Sequence, residues 1–176
     1  MDTDLPQRKP ARLKNYDYST PGAYFVTVCT QNRGCLFWRA ETLSPAVGAA
    51  TSRPPYDTSP PYSLTDAGKI VDFAIQSIHR IYPAVTVEKY VIMPNHVHLL
   101  LRIHAGDDGR LIAAPTISTV VGQMRQWASK QVGVPLWQRS FYDHVVRSEA
   151  EYREITEYIA VNPAWWAEDR FYVKGE

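Results

Sequence analysis

The stretch YVIMPNHVHLLLRI, residues 90–103, decides how the chain is read. It is apolar and rich in β-formers, a turn-prone Pro94-Asn95 divides it, and two histidines separated by one valine open its second half. Side chains in a strand alternate between faces, so His96 and His98 point one way and Val97 the other. Two imidazoles sharing a strand face read either as half-buried histidines bonded to neighbours or as two ligands of a divalent cation. As ligands they leave the ion under-coordinated, and a third donor must come from elsewhere in the chain.

The rest of the chain sets the limits. Its 176 residues fit one domain, taken as residues 1–176. The formal net charge of +1 declares neither a basic nor an acidic tail, so any nucleic-acid surface has to come from local clustering. No apolar run approaches the roughly 20 residues that cross a bilayer. The opening MDTDLPQRKPARLKNYDY lacks the apolar core of a signal peptide, which makes the cytoplasm the expected location. Cys29 and Cys35 read as packed, reduced thiols rather than a disulfide framework or a thiolate metal site.

Around the histidine stretch the pattern alternates strands and helices. A basic arm, residues 1–20, carries Arg8, Lys9, Arg12 and Lys14 among prolines and reads as unstructured until an anion orders it, or as a solvated tail. AYFVTVCT (23–30) reads as a strand, and CLFW (35–38), after the turn-like Asn32-Arg33-Gly34, as its hairpin partner. Residues 44–63 are dense in Pro, Ser and Ala and read as a long surface loop, an insertion or a DNA-contacting segment. A helix follows on Ile70, Phe73, Ala74, Ile78 and Ile81, capped at Thr65 or Asp66 and stopped by Pro83. The strands AVTVEKYVIM and HVHLLLRI come next. A second helix is spaced on Ile117, Val120, Val121, Met124 and Trp127, residues 136–147 look extended, and Ser148 caps a last helix ending before Pro163. The expected fold class is α+β: a central antiparallel sheet with helices mainly on one face, ferredoxin-like, with the histidine strand in the middle.

The last helix offers chemistry. Tyr158 and Asn162 lie four residues apart, hence on one face. An amide oxygen at Asn162 could complete a metal site, which places the Tyr158 phenol one turn away as a nucleophile toward phosphorus. Read separately, Tyr158 is equally a core aromatic and Asn162 a helix-terminal residue before proline.

Together, MPNHVHLL and WQRSFYDHVVRSEAEYREITEYIAVNP strongly resemble the single-tyrosine HUH transposases, in particular the REP-associated tyrosine transposases. The resemblance spans nearly the whole chain, from RLKNYDYSTPGAYFVTVCTQNRGCLF through LTDAGKIV. It implies that His96, His98 and Asn162 bind Mg2+ or Mn2+, and that Tyr158 attacks single-stranded DNA to leave a 5′-phosphotyrosine link and a free 3′-hydroxyl. It also implies DNA hairpins from palindromic repeats as substrates, no nucleotide cofactor, and a nucleoid-associated bacterial protein, with a monomer favoured and a dimer open. Hairpin recognition calls for cations and stacking surfaces. Candidates are the four cations of the arm, Arg125 and Lys130, and the group Trp137, Gln138, Arg139, Tyr142, His144 and Arg147 with Phe141, which alternatively form a buried edge strand with surface charges. Two other readings remain open: a hairpin-binding protein that no longer cuts, and a zinc protein using His96, His98 and His144. The chain ends soon after the tyrosine helix, where Trp165 and Trp166 are placed to dock it.

Overall fold

The computed structural model describes residues 16–39, 62–105 and 115–173. Arg8, Lys9, Arg12 and Lys14 lie outside the described residues, as does the 44–63 segment apart from Tyr62 and Ser63.

Four strands form one antiparallel sheet: β1 (Gly22–Cys29), β2 (Val85–Ile92), β3 (His96–Ile103) and β4 (Tyr142–Val146), in the order β2-β3-β1-β4. Helix α1 (Asp66–Gln76), followed by the short α2 (Ile78–Ile81), connects β1 to β2, and α3 (Ile117–Val132) connects β3 to β4. This is the ferredoxin-like βαββαβ order, and it places the histidine strand between β2 and β1. Helix α4 (Glu149–Val161) is added after β4. Among the described residues no helix is long and apolar enough to cross a membrane.

Register explains the layers. Val97, Leu99 and Leu101 oppose Val28, Val26 and Tyr24, and all six are fully buried on one face. Helix α1 covers that face, with the Tyr90 hydroxyl donating to Asp72 at 2.7 Å, and α3 packs on α1. His96 and His98, opposing Cys29 and Thr27, belong to the other face, which α4 covers. Both faces of β3 are therefore dry, as its almost unbroken apolar run requires.

Residues 35–38 form no hairpin with β1. Both edges of β1 are taken, by β3 and β4, so no ladder is left for them. After a 3-10 turn at Gln31–Arg33 the chain instead crosses to α1: Phe37 N donates to Pro94 O, Phe37 O accepts from Thr65 N, and Trp38 bridges Leu64. Thr65 caps α1 by accepting from Gly68 N. A Cβ on Gly68 would lie 2.5 Å from Phe37 O, so only glycine admits this approach. The buried stripe of the first helix runs through Val71, Ala74, Ile75 and Ile78, rotated from the expected one, and Phe73 and Ile81 face solvent. Trp127 is likewise half-exposed against Phe73, with Ala128 taking the inward position. The expected extended segment 136–147 is a strand only at Tyr142–Val146, plus a bridge from Trp137 to Thr30.

Candidate active site

His96 and His98 open β3 and are completely buried. Their Nε2 atoms face each other at 3.0 Å. Asn95, itself buried, fixes the first ring: its Nδ2 donates to Arg33 O at 3.2 Å and to Phe171 O at 2.8 Å, so its Oδ1 must be the atom 2.9 Å from His96 Nδ1. An amide oxygen only accepts, so Nδ1 carries the proton and Nε2 keeps its lone pair. The second ring rests on Thr27, whose hydroxyl lies 2.8 Å from His98 Nδ1 and is able to donate or accept. Burial, then the neighbouring His98, Arg170 and Arg33, push His96 far below the usual imidazole range. Burial and Arg170 push His98 down to about 3. Both rings are neutral at physiological pH, the state in which imidazole ligates.

Helix α4 brings the phenol. Ser148 caps it by accepting from Glu151 N, and Glu151 returns to Arg147 N at 2.7 Å and His144 Nε2 at 2.5 Å, tying the helix to the end of β4. Tyr152 donates to Glu88 at 2.9 Å, Arg102 donates to the same carboxylate at 2.8 Å, and the Arg102 guanidinium lies 5.2 Å above the Tyr152 ring. Glu88 reaches this position from the bulge in β2. With its first turns held there, α4 sets the Tyr158 hydroxyl 3.2 Å from His98 Nε2, its ring edge-on to Phe25 and His98. Burial and the Asp169 charge raise the phenol pKa, against the Asn162 side chain and Arg170.

One turn on, Asn162 is buried and its Oδ1 has no partner. An orphaned carbonyl oxygen in a dry site costs roughly 1–3 kcal/mol unless something electropositive meets it. Asp169, half-buried in the chain after α4, was not found from sequence. Its carboxylate and the two imidazoles offer ligand atoms within 4.8 Å of one another. One of its oxygens accepts from Phe171 N at 2.6 Å, which orients the carboxylate. No spacing rule reaches it, because the 3-10 segment Asn162–Glu168 folds it back over β3. The donor set fits a divalent cation: two nitrogens 3.0 Å apart, each about 2.1 Å from one ion, subtend roughly 90°. Nitrogen, amide oxygen and carboxylate without thiolate suit a hard or borderline ion such as Mg2+ or Mn2+.

No protein-family model matches the chain. It is 30 % identical over 188 residues to an uncharacterized protein of Haemophilus influenzae, covering 96 % of this chain and 95 % of that one. It is also 30 % identical over 161 residues to a second Haemophilus influenzae protein, provisionally named REP-associated tyrosine transposase, covering 86 % of this chain and 76 % of the relative. The chain belongs to the REP-associated tyrosine transposase family. A REP-associated tyrosine transposase solved bound to a REP hairpin shares its fold, with a TM-score of 0.57 and 22 % identity over 87 % of this chain and 73 % of that one.

Against this family background, the tentative DNA contacts separate by exposure. Lys130, Arg139, Tyr142 and Arg147 are exposed and stand as candidates. Trp137 is buried, its ring against Phe37 and its Nε1 donating to Arg125 O at 3.1 Å, so it is not free to stack on a base. Arg125 donates to Gln138 O and lies over Phe141, a latch between α3 and the segment before β4. His144 is engaged by Glu151 and stands apart from the histidine and Asp169 cluster, which removes the reason for a zinc site using it.

Proposed function

We propose that this transposase cuts and rejoins single-stranded DNA beside hairpins, with Tyr158 as nucleophile and His96, His98, Asn162 and Asp169 holding a divalent metal. What carries the reading is the phenol oxygen 3.2 Å from an imidazole nitrogen that itself faces a second one, with an orphaned amide oxygen one turn further along the same helix. A bound ion would polarise the phosphate and stabilise negative charge on its oxygens.

The chain's own residues do the rest. Tyr158 Oη forms a bond to phosphorus as the P–O3′ bond breaks, leaving a 5′-phosphotyrosine. The phenolic proton is lost and the departing 3′ oxygen gains one, so no co-reactant is consumed. Tyr158 is 38 % exposed, which gives the proton a route to water. Attack by the 3′-hydroxyl on the phosphotyrosine reverses the step and rejoins strands. Phe25 and His98 fix the phenol ring, and Asn95 and Thr27 fix the imidazoles.

The test is a denaturing gel of labelled hairpin oligonucleotides, drawn from palindromes flanking the gene, with Mg2+ or Mn2+. Wild type should yield a protein-linked band only with metal, and Tyr158→Phe none, at nearly unchanged hairpin affinity. An adduct in Tyr158→Phe would move the nucleophile to another residue. Hairpin binding without cleavage by wild type across several sequences would leave a binding protein.

A further inference from the structure

Two arginines, Arg33 and Arg170, stand beside this site on one aromatic ring. The Arg170 guanidinium lies 4.5 Å from the centroid of the Phe171 ring and that of Arg33 5.5 Å from the same ring, while the ring packs 4.6 Å from His96. Both side chains are exposed, and neither makes an ion pair with a carboxylate among the described residues. Asp169, the adjacent acid, faces the histidine cluster. Two guanidiniums thus flank one aromatic ring beside a nucleophile and a metal-type donor set, with no ion-paired carboxylate among the described residues.

The backbone supplies a second, independent observation. Asn32 and Arg33 both adopt φ 56°, the left-handed region. Asparagine tolerates it, but an arginine there is strained, and Gly34 next to it sits in ordinary extended backbone. The conformation is held by Arg33 N donating to Thr30 O at 3.2 Å and by Asn95 Nδ2 donating to Arg33 O, so the residue that orients His96 also fixes Arg33. Strain kept at an exposed side chain that, among the described residues, lies over the Phe171 ring points to a role outside folding.

We propose that Arg33 and Arg170, spaced by Phe171, form a phosphodiester clamp that grips the DNA backbone at the scissile position. The inference rests on the proposed function and names where its substrate is held. Guanidinium forks match phosphate oxygens in pairs, and contact with an aromatic face pre-orients them. Both charges stand beside the site, on the ring that packs 4.6 Å from His96. A clamp so placed repels a divalent ion when DNA is absent and is neutralised when a phosphate enters, so DNA and metal favour each other.

The test compares wild type with Arg33→Ala, Arg170→Ala, the double variant, Arg33→Lys and Arg33→Gly. Binding of hairpin oligonucleotides with single-stranded flanks is measured without metal across a salt series. Each alanine variant should bind about tenfold more weakly and lower the slope of log K against log salt by about 0.7. Arg33→Lys should restore the slope but only part of the affinity. Isothermal titration with Mn2+ alone should show the DNA-free double variant binding metal several-fold more tightly, a sign opposite to that of a structural defect. Arg33→Gly should melt about 2 to 5 °C higher while binding DNA as poorly as Arg33→Ala. Wild-type affinity and slope in both alanine variants would overturn the clamp alone, since the Tyr158 adduct is scored separately. Wild type that binds none of the oligonucleotides would overturn the parent reading, and the clamp with it.

Discussion

The two faces of β3 are both buried at the end where the histidines stand, and there they differ in chemistry. Val97, Leu99 and Leu101 on one side, and His96 and His98 on the other, all have no exposed surface. The apolar side stabilises the fold by removing hydrocarbon from water, at about 1.5–3 kcal/mol per large side chain. The histidine side gains little of that and must satisfy each ring nitrogen, through Asn95, through Thr27 and across the pair itself. One strand therefore carries a face that holds the protein together and a face that is held together by the protein. The difference teaches that burial alone does not mark a core: the partners of the buried atoms do.

The comparison is broken most strongly from the apolar side. Leu99→Ala opens a cavity between Val26, Tyr90 and α1, and should cost about 3 to 5 kcal/mol of unfolding free energy. Below its lowered melting temperature the variant should still bind Mn2+ within about threefold of wild type. A large loss of metal affinity in the folded variant would show that the two faces are not separable.

The next effect belongs to the histidine side alone. Its imidazoles have folded pKa values far below the unfolded value of 6.5. Between pH 6.5 and the folded values the unfolded chain takes up protons that the native chain refuses, so stability is full above pH 6.5 and falls as the solution is acidified. The slope approaches 1.4 kcal/mol per pH unit for each ring, or about 2 kcal/mol per histidine by pH 5. Denaturant melts of the metal-free protein between pH 7.5 and 5 should show it, with His98→Gln removing about half the slope. A melt independent of pH over that range would place the rings in contact with water.

How much of this was legible in the sequence follows from the range of each interaction. Periodicity exposed β1, β2, β3, α3 and α4, because these depend on side chains two or four residues apart. The central place of the histidine strand followed from the ferredoxin-like plan. The false hairpin at 35–38 arose because local β-propensity cannot tell that both edges of β1 are already taken. The rotated stripe of α1 has a similar origin: Phe73 and Ile81 are apolar enough to fit the pattern, yet Val71 and Ile75 lie inward. At the site, the fold sets the Tyr158 hydroxyl against His98, which faces His96, and Asn162 follows one turn further along α4. Asp169, Asn95, Thr27 and Arg33 were invisible, since each acts through a backbone path that only the assembled fold closes. Trp137 misled for the opposite reason, as an aromatic beside cations looks like a stacking surface until its burial is known.

The smallest effect distinguishes the two histidines from each other. Two Nε2 atoms 3.0 Å apart need one proton between them when no ion is bound, and Asn95 has already placed that of His96 on Nδ1. His98 must therefore carry its proton on Nε2, with the Thr27 hydroxyl donating to its Nδ1. An ion at the site needs both Nε2 lone pairs, so His98 has to change tautomer while His96 does not. Thr27 permits the change because a hydroxyl turns from donor to acceptor without moving its oxygen, whereas the Asn95 amide is pinned by two carbonyls. Nitrogen-15 spectra of the imidazoles, taken before and after adding diamagnetic Mg2+ or Zn2+, should show His98 switching and His96 constant. Asn95→Ala should weaken Mn2+ binding about tenfold by freeing the pinned ring, and Thr27→Val by a smaller factor of about three, with Thr27→Ser restoring it. Identical tautomers for both rings in the metal-free protein would sink the distinction, and with it the assignment of a fixed support to one histidine and an adaptable one to the other.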